Sequence, residues 1–121
     1  MSGPRSELGS LLRAAAPAGV NVYDEPPRQL VPPALVVKPG VPYRRPQAGC
    51  TDDYYRLDVW AMVGRELKTP AEALDGLIAL VSGTVQTWPE GSWLGASGSL
   101  VHEETAGVKV LAAICEVGVR T

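Results

Sequence analysis

The sequence predicts an α+β fold, a small and mostly antiparallel sheet packed by two helices, and three observations carry that prediction. The apolar residues Tyr55, Leu57, Val59, Ala61 and Val63 alternate with Arg56 and Asp58, the period of a strand with one face on a core. Leu74, Leu77, Ile78, Val81 and Val85 recur at three- and four-residue steps, which is the stripe of an amphipathic helix. A β-prone run from Val108 to Val119 follows Thr105-Ala106-Gly107 and the extended piece Ser99 to Glu104, which reads as a closing hairpin.

The totals bound the answer. A chain of 121 residues with 45% apolar and 20% charged content suits one domain, 1–121, that folds without a metal or disulfide staple. Its net charge of −2 excludes a protein whose affinity comes from neutralising many phosphates. No leader pattern and no run of about 18 apolar residues is seen, so a soluble, non-exported chain without membrane contact is expected. Cys50 and Cys115 are expected to be separate thiols, Cys115 acting as a small buried hydrophobe.

Taken in order, Ser6 can cap a first helix in which Leu8, Leu11, Leu12 and Ala15 share a face, and Pro17-Ala18-Gly19 stops it. Val20 to Tyr23 is a short extended piece, ended by Asp24-Glu25-Pro26-Pro27. Ala34 to Lys38 is a strand bracketed by Pro32-Pro33 and Pro39-Gly40. The stretch 39–53 contains Pro39, Pro42, Pro46 and Gly49 and follows neither period. It predicts a long, irregular, proline-rich arm and a contact element. The main strand leads to Thr69-Pro70-Ala71-Glu72, where a cap hydroxyl, a proline at the first helical position and a glutamate three residues on predict a helix start. Trp88 to Gly98 is rich in glycine and reads as a loop. The order is then α-β-β-β-α-β-β, with the last strand apolar on both faces and therefore central or covered by a neighbouring subunit.

Chemistry-bearing patterns are sparse. His102 is the single histidine, and with Cys50 and Cys115 it lacks the paired spacing of a zinc site. Asp52 and Asp53 are adjacent and point opposite ways in an extended chain, so they do not converge on one substrate atom. The glycines from Gly91 to Gly98 are followed by no Gly-Lys-Ser/Thr, as a phosphate cradle needs. Ser97 and Ser99 lack a strained elbow and a placed histidine. No catalysis, cofactor or metal is expected. The remaining features are contact residues. Arg44 and Arg45 form the one adjacent basic pair. Trp60 either packs under the first helix or meets a neighbouring subunit. Trp88 and Trp93 either anchor their loop on the domain or present an edge to a partner.

Most of the chain resembles the tail terminator or tail completion proteins of long-tailed, siphovirus-type bacteriophages, particularly those of actinobacterial hosts. The elements that carry the resemblance are the N-terminal helix, the turn Tyr23-Asp24-Glu25-Pro26-Pro27, the strand Tyr55 to Trp60, the helix after Thr69-Pro70 and the closing hairpin. That family is defined by element order and size, not by an invariant motif, and offers no catalytic residue to carry over. The resemblance implies a structural virion protein, assembled in the host cytoplasm and sited in the neck region of the tail. It would form a six-membered ring that ends the tail tube and joins it to the head connector. Its partners would be other copies of itself, the tail tube protein and the connector, with DNA passing through unbound. Arg44, Arg45, Trp60, Trp88 and Trp93 are then candidate contacts between subunits or with partners, and Glu103 and Glu104 candidate channel-facing residues. A head-tail connector or stopper is the nearest alternative, and a monomeric protein-binding module the alternative of another class.

Overall fold

The computed structural model describes residues 3–25, 28–29, 31–46, 53–64, 69–97, 100–103 and 109–120, giving the backbone path alone at 41–46, 53–54, 100–103 and 109. Two helices, α1 (Pro4–Ala15) and α2 (Pro70–Gln86), accompany the strands β1 (Asn21–Tyr23), β2 (Ala34–Pro46), β3 (Asp53–Gly64), β4 (Gly91–Ala96), β5 (Leu100–Glu103) and β6 (Lys109–Arg120). The sheet order is β1-β2-β3-β6-β4. β1 runs parallel to β2 and every other pairing is antiparallel. Because β3 occupies one side of β6 throughout, β4 and β5 follow one another along the other side as a single interrupted strand. The α+β class is the one read from the sequence, and so is the order α-β-β-β-α-β-β once β4 and β5 are counted as that one interrupted strand; β6 lies inside the sheet, in keeping with its two apolar faces.

Alternation along the strands splits the buried residues into two sets. Leu35, Val37, Leu57, Val59, Ala61, Val63, Ala113, Cys115, Val117 and Val119 meet Leu8 and Leu12 of α1 and Leu74, Leu77, Val81 and Val85 of α2. Ala34, Val36, Met62, Val110 and Ala112 are buried on the opposite face, with Tyr23 and Trp60 packed beside them. Both helices therefore lie on one side of the sheet. Burial pushes the Cys115 thiol up to about 12, so it stays protonated and behaves as an apolar side chain.

Four local expectations are corrected. The segment Pro39 to Pro46 is not an irregular arm but the second half of β2, with Arg44 opposite Tyr55, Arg45 opposite Tyr54 and Pro46 opposite Asp53. β1 flanks β2 only at residues 34–36, so further along that edge of β2 meets no described strand, where a missing N–H is tolerated, and the ladder with β3 shifts register between Pro39 and Arg44. Gly91 to Ala96 is a strand and not a loop, because β6 offers it an antiparallel edge.

The caps also differ. α1 begins at Pro4 after Gly3, and Ser6 lies inside it, its Oγ donating to Asp24 Oδ2 at 3.5 Å. α2 begins at Pro70 as predicted, but the Thr69 hydroxyl makes no capping bond and only its carbonyl accepts from Ala73 N–H, 3.1 Å away. Thr69→Ala is therefore expected to change stability by less than about 0.5 kcal/mol, against about 1 for a working cap. Thermal unfolding decides it, and a loss of about 1 kcal/mol or more would restore the hydroxyl cap.

Candidate functional site

Since Leu57, Val59 and Ala61 point to the helices, Arg56, Asp58 and Trp60 emerge on the face the helices leave open. Register then builds two ranks across three strands. Lys38 of β2, Asp58 of β3 and Glu116 of β6 form one; Val36, Trp60 and Ile114 form the next. The Lys38 Nζ stands 4.3 Å from the centroid of the Trp60 ring, a cation–π contact worth about 0.5 to 1 kcal/mol when half-exposed. Arg56 Nη2 donates to Glu116 Oε1, and Arg56 Nε lies 3.9 Å from Asp58 Oδ1. At that distance the second pair is electrostatic and not hydrogen-bonded, and both atoms are buried without a hydrogen-bond partner.

Desolvation raises the Asp58 carboxyl above its ordinary value, outweighing the attraction of Arg56, and Glu116 raises it further. A carboxyl that binds its proton more tightly when folded stabilises the fold below its unfolded-chain pKa, and the contribution is lost as pH rises through the folded value. Asp58→Asn is therefore expected to gain stability relative to wild type as the pH is raised from 3 to 7. Melting curves of both proteins at the two pH values check this, and a difference that shrinks on going to pH 7 would mean that the Arg56 charge dominates instead.

A second surface lies on the helical side. The connection between α1 and β1, Pro33 just ahead of β2 and the flank of α2 enclose an open groove of about 560 Å³, lined by Val20, Pro33, Ala73, Gly76, Leu77 and Leu80 among others. Its walls are apolar because α2 places small residues where an ordinary surface helix would carry charges. Val31, two residues before Pro33, is 51% exposed, one of two large hydrophobic side chains left exposed among the described residues. Glu72 and Asp75 are exposed on the strip of α2 that borders the groove's outer side.

The sequence-predicted contact residues are scattered over these surfaces. Trp60 does not pack under α1, which lies on the other side of the sheet; it belongs to the open face. Trp88 is only 5% exposed and sits in the helical core, its Nε1–H donating to Glu7 Oε1 at 3.3 Å, so it is no surface contact. Trp93 is half-buried on that same core from β4, leaving Leu94 as the exposed side chain beside it. Arg44 and Arg45 are placed as strand residues, with side chains outside the described set. Glu103 pairs with Lys109 through the backbone, while Glu104, Cys50 and Asp52, like the side chain of His102, lie outside the described residues.

The ladder of Lys38, Asp58 and Glu116 was visible only as single polar residues interrupting apolar strands, and the groove had no sequence signal, being assembled from three separate segments. Among the described residues no three His, Cys, Asp or Glu side chains come together to hold a metal ion, and no helix is long and apolar enough to cross a membrane. Comparison of the sequence with known protein families and with curated proteins finds no match.

Proposed function

We propose that this chain is a structural virion protein of a long-tailed bacteriophage, forming a ring of six copies that ends the tail tube and joins it to the head connector. The observation that carries this reading is the fold itself: two helices on one side of a mostly antiparallel sheet, in the element order of the tail terminator proteins that the sequence resembles. Two surfaces then remain for assembly, the open sheet face with Trp60 and its charged ladder and the apolar groove on α2. Both combine apolar floor with charged rim, the composition of a protein interface. The chain works without catalysis or cofactor, its partners are its own copies, the tube protein and the connector, and its weakly acidic balance lets DNA pass without being gripped.

Loss of the protein during phage production is expected to give tails of irregular length that do not join heads, seen by electron microscopy and corrected by supplying the chain in trans. Normal tails joined to heads in its absence would refute the reading. Tight, salt-sensitive binding of duplex DNA by the purified chain would refute its passive relation to DNA.

A further inference from the structure

We propose that Lys38 is a proton-driven latch on Trp60: its ammonium lies over the indole while Asp58 carries a proton and crosses to the Asp58 carboxylate when that proton leaves, so that ionisation uncovers Trp60 on the open face of the sheet. The latch lies within one copy of the chain and holds whether or not copies form a ring.

Its parts are an acceptor without a donor and a donor seated elsewhere. Asp58 Oδ1 is buried and has no hydrogen-bond partner, a costly condition for an acceptor and more so when it is charged. Its ion pair is with Arg56 Nε at 3.9 Å, too long for a hydrogen bond. Arg56 is not placed to close that gap. Its Nη2 is held by Glu116 Oε1, and its stem is wedged against β2, where a Cβ on Gly40 would stand 2.6 Å from Arg56 Cγ. Lys38 stands directly opposite Asp58 across β2 and β3, yet its Nζ is 4.3 Å from the centroid of the Trp60 ring. Trp60, two residues along β3 from Asp58, is the diagonal neighbour of Lys38, within reach of a long side chain. One lysine therefore has two seats, an aromatic ring and an unsatisfied carboxyl oxygen. A cation–π contact and a partly exposed ion pair are of similar strength, so the charge on Asp58 decides which seat is filled.

Among the described residues, the charged groups that face Asp58 are Lys38 from β2, Arg56 on β3 and Glu116 from β6. β4 sets Gly95 beside Glu116, and β1 brings Tyr23 to the Trp60 end of the face. Glu116 takes the bond from Arg56, so among these groups Lys38 is the cation left to compensate an ionised Asp58. Desolvation raises the Asp58 carboxyl against the pull of Arg56, and Glu116 adds to the rise. All three conditions favour the proton-bound state, in which Lys38 rests on Trp60 as it does in this structure.

The test is a pH titration of the full chain by NMR, read at the ε-methylene protons of Lys38, which the face of an indole shields, and at the Asp58 carboxyl carbon. Lys38→Met assigns the first signal by its disappearance, and amide dispersion checks that each variant folds. Between about pH 3 and 7 the Lys38 protons are expected to lose most of their shielding in step with the ionisation of Asp58. Asp58→Asn should keep Lys38 shielded throughout, since the amide acquires no charge for it to follow. Lys38→Met should raise the midpoint of Asp58, because a cation that joins the carboxylate favours its charged form. Shielding that stays constant while Asp58 ionises, shielding lost equally in Asp58→Asn, or an Asp58 midpoint untouched by Lys38→Met would each overturn the latch. A chain that unfolds in acid is tested near pH 7 alone: greater Lys38 shielding in Asp58→Asn than in wild type supports the latch, and equal shielding overturns it.

Discussion

Trp88→Ala is expected to lower stability by about 3 to 5 kcal/mol, the range for emptying an aromatic site in a packed core. The indole lies just past α2, packed in the cluster that joins both helices to the sheet, and its N–H reaches Glu7 on α1. Removing it leaves a cavity bounded by α2, by Val85 and by the start of β4, where Gly91 is so close that a Cβ built on it would stand 2.7 Å from the Trp88 Cε3. Urea denaturation measures the loss. A change below about 1 kcal/mol, the size of an ordinary surface effect, would return Trp88 to the surface as a contact residue. Had the indole been an exposed anchor, its removal would weaken association and spare the fold, so the two readings separate in one experiment.

Gly40→Ala carries the next largest expected effect and bears on the arm. Gly40 is buried against β3, and a Cβ there would lie 2.6 Å from Arg56 Cγ and 2.9 Å from the Arg56 carbonyl oxygen. A backbone atom cannot step aside as a side-chain tip can, so the added methyl forces the two strands apart. The expected cost is about 1 to 3 kcal/mol, that of overpacking. In an irregular arm the same substitution would be neutral or slightly stabilising, because it restricts the unfolded chain. Thermal unfolding distinguishes a loss from a gain.

Much of the fold was legible because its signals are local. The alternation from Tyr55 to Val63 placed β3 and its buried face, and Leu74, Leu77, Val81 and Val85 marked the side of α2 that the structure buries. Pro70 marked where α2 begins. The two apolar faces of β6 placed it inside the sheet, where β3 pairs with one edge and β4 and β5 with the other. The errors arose where a local signal has two outcomes. Prolines at 39, 42 and 46 read as an end to strand structure, although a strand edge without a neighbour tolerates them. Glycines at 91 and 95 read as a loop, although β6 had hydrogen-bonding positions for that stretch. For each of the three tryptophans the sequence left packing and contact both open, and the structure makes one core, sets one half under the same core and stands one on the open face.

By itself the sequence determined the main periodicities: the extended stretch from Tyr55 to Val63, the helix that carries Leu74 to Val85, the side of each that is apolar, and a weakly acidic charge sum. Those properties follow from the spacing of side chains three to four or two residues apart, and from a charge sum, and neither depends on what lies elsewhere. Only the tertiary structure decided which side of the sheet the helices cover, and hence that Trp60, Lys38, Arg56, Asp58 and Glu116 share an open face. It alone assembled the α2 groove from three separate segments, at 17–20, 33 and 73–80, and set it at the opposite end from Arg44 and Arg45. These are outcomes of long-range pairing, where one choice of neighbouring strand fixes the surroundings of every side chain along it, and no local spacing records that choice.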